Sequence, residues 1–178
     1  MRINLHFYIF SCFMMALSSC MDITESEAVA GSYCYAPSYL DRSTSDTIRH
    51  VAPQLTINGG SIYLYKTMLF QIEVGRGIHI FDFSDPENSV KTGFYELPGC
   101  EQLSIDGNII YANSYSDLIV VDISIITDPK IVNLQPFYFE DKSSQLPPER
   151  GYFECVDRSK GVVTGWNKMF IKSPECKY

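Results

Sequence analysis

The chain has 178 residues, 46% of them hydrophobic and 20% charged, an ordinary composition for one globular domain. Its formal net charge is −7; a chain that sheds Arg2 with a leader keeps 13 basic residues against 21 acidic, or −8. That balance argues against nucleic acid as a partner and against docking on anionic lipid through a basic patch.

The first twenty residues stand apart. Met1-Arg2-Ile3-Asn4 supplies one positive charge, Leu5–Leu17 is an apolar core of 13 residues, and Leu17-Ser18-Ser19-Cys20 places small residues directly before a cysteine. A core this short falls below the roughly 20 residues a membrane-spanning helix needs, so residues 1–19 read as a signal peptide. The ending resembles a bacterial lipobox, which implies cleavage before Cys20 and acylation of its thiol. Acyl chains contribute roughly 0.8 kcal/mol per buried methylene and would hold the chain on a membrane. An ordinary signal peptide with Cys20 kept as a thiol is the alternative.

Residues 20–58 follow as the lipidated cysteine, a tether and a leader segment. Asp22, Glu25 and Glu27 lie among small polar residues, and the apolar residues of 21–35 have no period. The acidic stretch reads as a solvated tether; it also resembles export signals of lipoproteins sent to the cell surface. Ser43–His50 is expected to form a short helix, with Ser43 as its cap, Asp46 three residues on and Pro53 ending it.

From Gly59 the chain says nearly the same thing twice. An ungapped overlay of Gly59–Ser84 on Gly99–Ser124 pairs Tyr63 with Leu103, Leu69 with Ile109, Phe70 with Ile110, Ile78 with Leu118, Ile80 with Val120 and Asp82 with Asp122. Only three of those 26 positions are identical, so the pattern carries the relation. Each copy, about 59–98 and 99–138, reads as four short strands: Ser61–Lys66, Met68–Val74, Gly77–Phe83 and Lys91–Leu97, then Glu101–Ile105, Asn108–Asn113, Asp117–Ile123 and Lys130–Gln135. Nearly continuous apolar runs such as Leu118–Val121 predict sheets covered on both faces. A period near 40 with four strands per copy predicts an all-β fold of propeller-like blades, here an incomplete set within a β-repeat domain spanning 59–178.

Leu118-Ile119-Val120-Val121-Asp122 resembles the tag of the LVIVD-repeat family of surface proteins, and Ile78–Asp82 is a looser copy. Tyr111–Leu118, Leu97-Pro98-Gly99 and Gly151–Cys155 with Gly165-Trp166 are similar to the lipoprotein branch of that family in Bacteroidetes, matching the amino-terminal half of its longer members. The resemblance implies a propeller-like fold, an outer-membrane lipoprotein and no established reaction.

After Pro136 the polar stretch Asp141–Arg150 reads as a loop. Gly151–Trp166 is expected to be a hairpin, Tyr152–Val156 against Gly161–Trp166. With only two repeats present, open blade faces are expected to be met by other parts of the chain or by self-association.

No catalytic, cofactor or metal set emerges. Gly75-Arg76-Gly77 has Ile80 where a dinucleotide fingerprint needs its third glycine and precedes a strand, so it reads as a turn. Asp82, Asp85, Asp122 and Asp128 lack the compact oxygen-rich loop calcium needs and read as turn residues. His50 and His79 have no neighbours at metal spacing, and His79 is expected between sheets. Ser114 and Ser116 lack elbow glycines. Cys34, Cys100, Cys155 and Cys176 permit three pairings, of which Cys155 with Cys176 is expected because they lie on the two arms leaving the hairpin. The rings Tyr111, Tyr115, Phe137, Tyr138, Tyr152 and Trp166 suit a sugar-lined cleft or ordinary β packing. The expected role is non-catalytic binding of a protein or glycan at the envelope; an envelope enzyme or glycan-acting accessory subunit is the alternative.

Overall fold

A computed structural model describes residues 31–139 and 146–178. The expected signal peptide, Cys20, the acidic tether and the first part of the Asp141–Arg150 loop lie outside these residues. The described chain is all-β, with three sheets and none closed.

The first repeat sheet holds β3 (Gly59–Tyr65), β4 (Met68–Glu73), β5 (Gly77–Asp82) and β6 (Val90–Glu96), with β2 (Arg49–Val51) added beside β6. The second holds β7 (Leu103–Asp106), β8 (Ile109–Ser114), β9 (Asp117–Asp122) and β10 (Lys130–Gln135) in a simple meander. Short turns fix both registers. The two sheets share one irregularity: Thr92 is skipped between the Ile80 and Phe81 partners, and Val132 between those of Val120 and Val121. Such bulges mark equivalent positions in each copy.

Strand pairing corrects the ungapped overlay. Phe70 pairs with Ile80 and Tyr111 with Val120, so Phe70 corresponds to Tyr111 rather than Ile110. The cause is the β4–β5 turn, which has one residue more than the β8–β9 turn. A one-residue slip exchanges the faces of a strand. The first sheet therefore presents Phe70, Ile72, Ile78, Ile80 and Tyr95 to the shared core, while the second presents Leu103, Ile110, Ala112, Ile119 and Val121. These are opposite faces of equivalent sheets.

The third sheet was not legible as such. It runs β12 (Val162–Ile171), β1 (Ser32–Leu40), β11 (Tyr152–Phe153), β13 (Cys176–Lys177). From Ser32 the expected leader is thus a strand, paired along its length with β12 from Ser32↔Ile171 to Leu40↔Val162. The expected Gly151–Trp166 hairpin does not form. β11 pairs parallel with β1 and antiparallel with β13, and β1 lies between the two arms. The connection holds a 3₁₀ turn, Arg158–Lys160, capped by Asp157.

The helix is shorter than expected. α1 is Arg42–Ser45, and Asp41, not Ser43, accepts the capping N–H, from Ser43 at 2.8 Å. Beyond it Arg49–Val51 is strand β2, because Arg49, His50 and Val51 find partners in Glu96, Tyr95 and Phe94.

Candidate functional site

A cleft of about 290 Å³ opens where the third sheet meets the turn-bearing end of the two repeat sheets. From the repeats come Gly75 in the β4–β5 turn, Gly99 and Glu101 in the link between sheets, Asn113, Tyr115 and Ser116 around the β8–β9 turn, and Phe137 after β10. Val156, Arg158 and Thr164 approach from the third sheet.

Two of these residues hold costly backbone. Tyr115 (φ 52°) and Phe137 (φ 57°) are two of three non-glycine residues with left-handed backbone among the described residues. That conformation costs an L-residue about 1 to 2 kcal/mol, so neighbours must enforce it. Tyr115 donates its N–H to Gly99 O at 3.2 Å, and its ring lies where any side chain on Gly99 would collide. Phe137 donates its N–H to Asp117 Oδ1 at 2.8 Å. Two guanidiniums lie over its ring, with Arg42 Cζ 4.6 Å and Arg158 Cζ 4.8 Å from the centroid. Such cation–π contacts fix a ring's orientation.

Asp117 is the anchor behind Phe137. Its side chain is fully buried and accepts Arg42 Nη1 at 2.6 Å. It occupies the position of Gly77 in the first repeat, where no side chain fits because a Cβ would meet Tyr95 O. Asn113 builds the opposite wall. Its Oδ1 accepts the N–H groups of Glu101 (2.8 Å) and Gln102 (2.7 Å), and its Nδ2 donates to Gly99 O at 3.0 Å. One amide thus ties three points of the link between the sheets, beside the Tyr115 N–H to Gly99 O bond.

Of the six rings singled out in the sequence, only Tyr115 and Phe137 line this cleft. Tyr111 faces outward on the second sheet, Tyr138 stacks edge-on with Phe139 at 5.0 Å, and Trp166 packs edge-on against Phe153 at 5.6 Å. Arg42, Asn113, Asp117 and Arg158 escaped the sequence reading. A carboxylate opening an otherwise apolar strand was the one available signal for Asp117.

The aspartates serve turns. Asp82 Oδ1 accepts the N–H (2.9 Å) and hydroxyl (2.6 Å) of Ser84, and Asp122 does the same with Ser124 at 2.8 and 2.6 Å. Asp157 repeats the arrangement with Ser159 beside the cleft. In all three the serine hydroxyl, then the serine N–H, holds the carboxyl below its ordinary value. Asp85 caps the short Pro86–Asn88 turn, and Asp128 accepts Lys130 Nζ at 2.6 Å. Ser114 is buried and donates to Pro98 O at 2.8 Å.

His79 is fully buried on the outer side of the first sheet, 2.8 Å from Glu73 Oε2 and packed against Phe94. Glu73 also accepts the N–H groups of Ile57 and Asn58. This pair lies away from the cleft and closed to solvent. Among the described residues no group of three or more His, Cys, Asp or Glu could hold a metal ion.

Cys155 and Cys176 form a disulfide, with Cα atoms 5.2 Å apart. The approach comes from β11·β13 pairing, which sets Phe153 opposite Cys176, and not from a hairpin. Cys34 and Cys100 are free and buried, and burial pushes the Cys100 thiol up to about 12.

Compared with family models, curated proteins and solved structures, the chain finds no match in any of the three.

Proposed function

We propose that this chain is a lipid-anchored, outer-membrane protein of the cell envelope that works as a non-catalytic binding module on propeller-like, LVIVD-type repeats. The amino-terminal pattern ending at Cys20 supports the anchor. Two sheets that meet through opposite faces of the same unit support the blade reading, since rotated copies stack in that way. The cleft carries the binding role: two residues of strained backbone, Tyr115 and Phe137, are held there by dedicated partners. Strain retained in this way belongs to sites more often than to packing. Rings beside amide, hydroxyl and guanidinium groups suit a polar ligand with a flat face, and a glycan terminus has that chemistry.

The enzyme reading has less support. General acid–base work needs its groups within reach of substrate, whereas Glu73 and His79 are both buried outside the cleft. A glycan array probed with detergent-purified full chain tests the proposal. Selective binding that falls at least tenfold in Tyr115→Ala is expected, and Cys20→Ala should leave binding intact while abolishing lipid labelling and leaving an uncleaved or misplaced precursor. A featureless array, or binding indifferent to Tyr115, overturns it.

A further inference from the structure

The two ends of the sheet stack are chemically unequal. Strand pairing places Ile62, Leu64, Leu69 and Phe81 on the outer face of the first sheet in the positions of Leu103, Ile105, Ile110 and Val121. Those four pack the second sheet onto the first. On the first sheet the same positions face outward, with Ile62 59% and Leu64 63% exposed. Segment 52–58 crosses only part of this face: Thr56 turns its hydroxyl toward His79 Nε2 at 3.4 Å, and Lys91 Nζ donates to Gln54 O at 2.8 Å. Leu55 and Ile57, flanking Thr56, add 83% and 76% exposure. Four aliphatic side chains this open present on the order of 400 Å² of apolar surface, within the range of the largest patch on a typical monomer, which is often functional.

We propose that this face seats the second repeat sheet of another copy of the chain. The internal interface specifies the occupant. There, these positions share one core cluster with Phe70, Ile78 and Ile80, and in the second sheet the equivalents are Tyr111, Leu118 and Val120. These three share that sheet's outer face, where Tyr111 is 40% exposed, Leu118 is half-buried and Val120 is 9% exposed at the centre of the strip. A contact between copies therefore repeats the contact within one. Around this strip, the exposed Asn133 and Gln135 replace Gly93 and Tyr95. A neutral amide rim stays hydrated in the free chain and adds no like-charge conflict to the joint. The contact is head-to-tail, so it closes into a ring or propagates. A pair joined twice brings four repeat sheets together, the smallest number in a closed propeller.

Cross-linking in intact cells tests the geometry. Two differently tagged full-length chains are co-expressed, one carrying Leu64→Cys and the other Tyr111→Cys, and a short bismaleimide is added. A mixed-tag adduct several-fold above either variant paired with itself is expected. Adding Ile62→Asp to the Leu64→Cys chain should remove the adduct while the Cys155–Cys176 disulfide still forms, which separates a lost contact from a lost fold. Absence of the mixed adduct, equal self-linking through Leu64→Cys, or indifference to Ile62→Asp each overturns the proposal. None of these outcomes depends on what the cleft binds.

Discussion

The repeat pair and the terminal sheet are built on opposite plans. Each repeat sheet is built on four strands consecutive in sequence, to which the first adds β2, and the two share a continuous core from Phe70 to Ile123. The terminal sheet instead joins β1 to β12, with Cys34 opposite Met169, and its buried apolar residues are few: Cys34, Ala36, Phe153 and Val162. Closing so long a stretch of chain costs entropy that grows slowly with length, and little apolar burial offsets it here. A covalent bond and an ion pair to the repeats take on the work that apolar burial does elsewhere.

Removing the covalent bond should separate the two plans most sharply. In the chain-entropy picture, a disulfide closing a loop of 21 residues contributes about 3 kcal/mol. Cys155→Ser with Cys176→Ser is expected to lose that amount in urea titration. Hydrogen exchange should show the loss in β1, β11, β12 and β13, with β4, β5, β8 and β9 still protected. Uniform loss of protection across all three sheets would mean that they unfold as one unit.

A smaller break comes at the joint. Arg42 follows the last strand residue of β1 by two and reaches across to the fully buried Asp117. Arg42→Met keeps most of the apolar stem and removes the charge, leaving Asp117 without its cation. A charged hydrogen bond of this kind contributes about 2 kcal/mol. The variant should lose that much and also free Phe137, so the near-ultraviolet circular dichroism should change with it. Asp117→Asn in the same background should recover part of the loss, because an amide needs no cation.

The same contrast explains what could be read from the chain. Eight repeat strands were legible because Ile78–Phe81 and Leu118–Val121 carry their partners within a few residues, where turn chemistry fixes them. β1 was invisible: Ser32–Leu40 has no clean alternation, and its partner lies at the far end of the chain. The hairpin expectation failed for the same reason, since Tyr152-Phe153 prefers β1 and β13 to its sequence neighbour. In the cleft, Tyr115 and Phe137 stood out as aromatic residues, but their left-handed backbone did not. Glu73 was missed because one carboxylate ending an apolar strand looks like a surface charge until the segment that folds over it is known.

Glu73 gives the finest test, because it holds the segment 52–58 that lies over part of the first sheet's outer face. Burial alone would raise its pKa. The Asn58 N–H, His79 Nε2 and the Ile57 N–H outweigh that, and the net effect holds the carboxyl below the ordinary 4.5. A group whose pKa is lower folded than unfolded stabilises the fold above the unfolded value and loses that contribution as pH falls through the folded one. At neutral pH the carboxylate therefore keeps Ile57 and Asn58 in place, and acid below about pH 4.5 progressively releases them. Glu73→Gln retains an oxygen to accept one N–H and gives up the charge, so a loss of about 1 kcal/mol at pH 7 is expected. Wild type and variant should converge in stability as the pH is lowered, with exchange of the Ile57 and Asn58 amides rising first in wild type. A difference that stays constant from pH 7 into acid would show that the carboxylate's charge has no part in holding the segment.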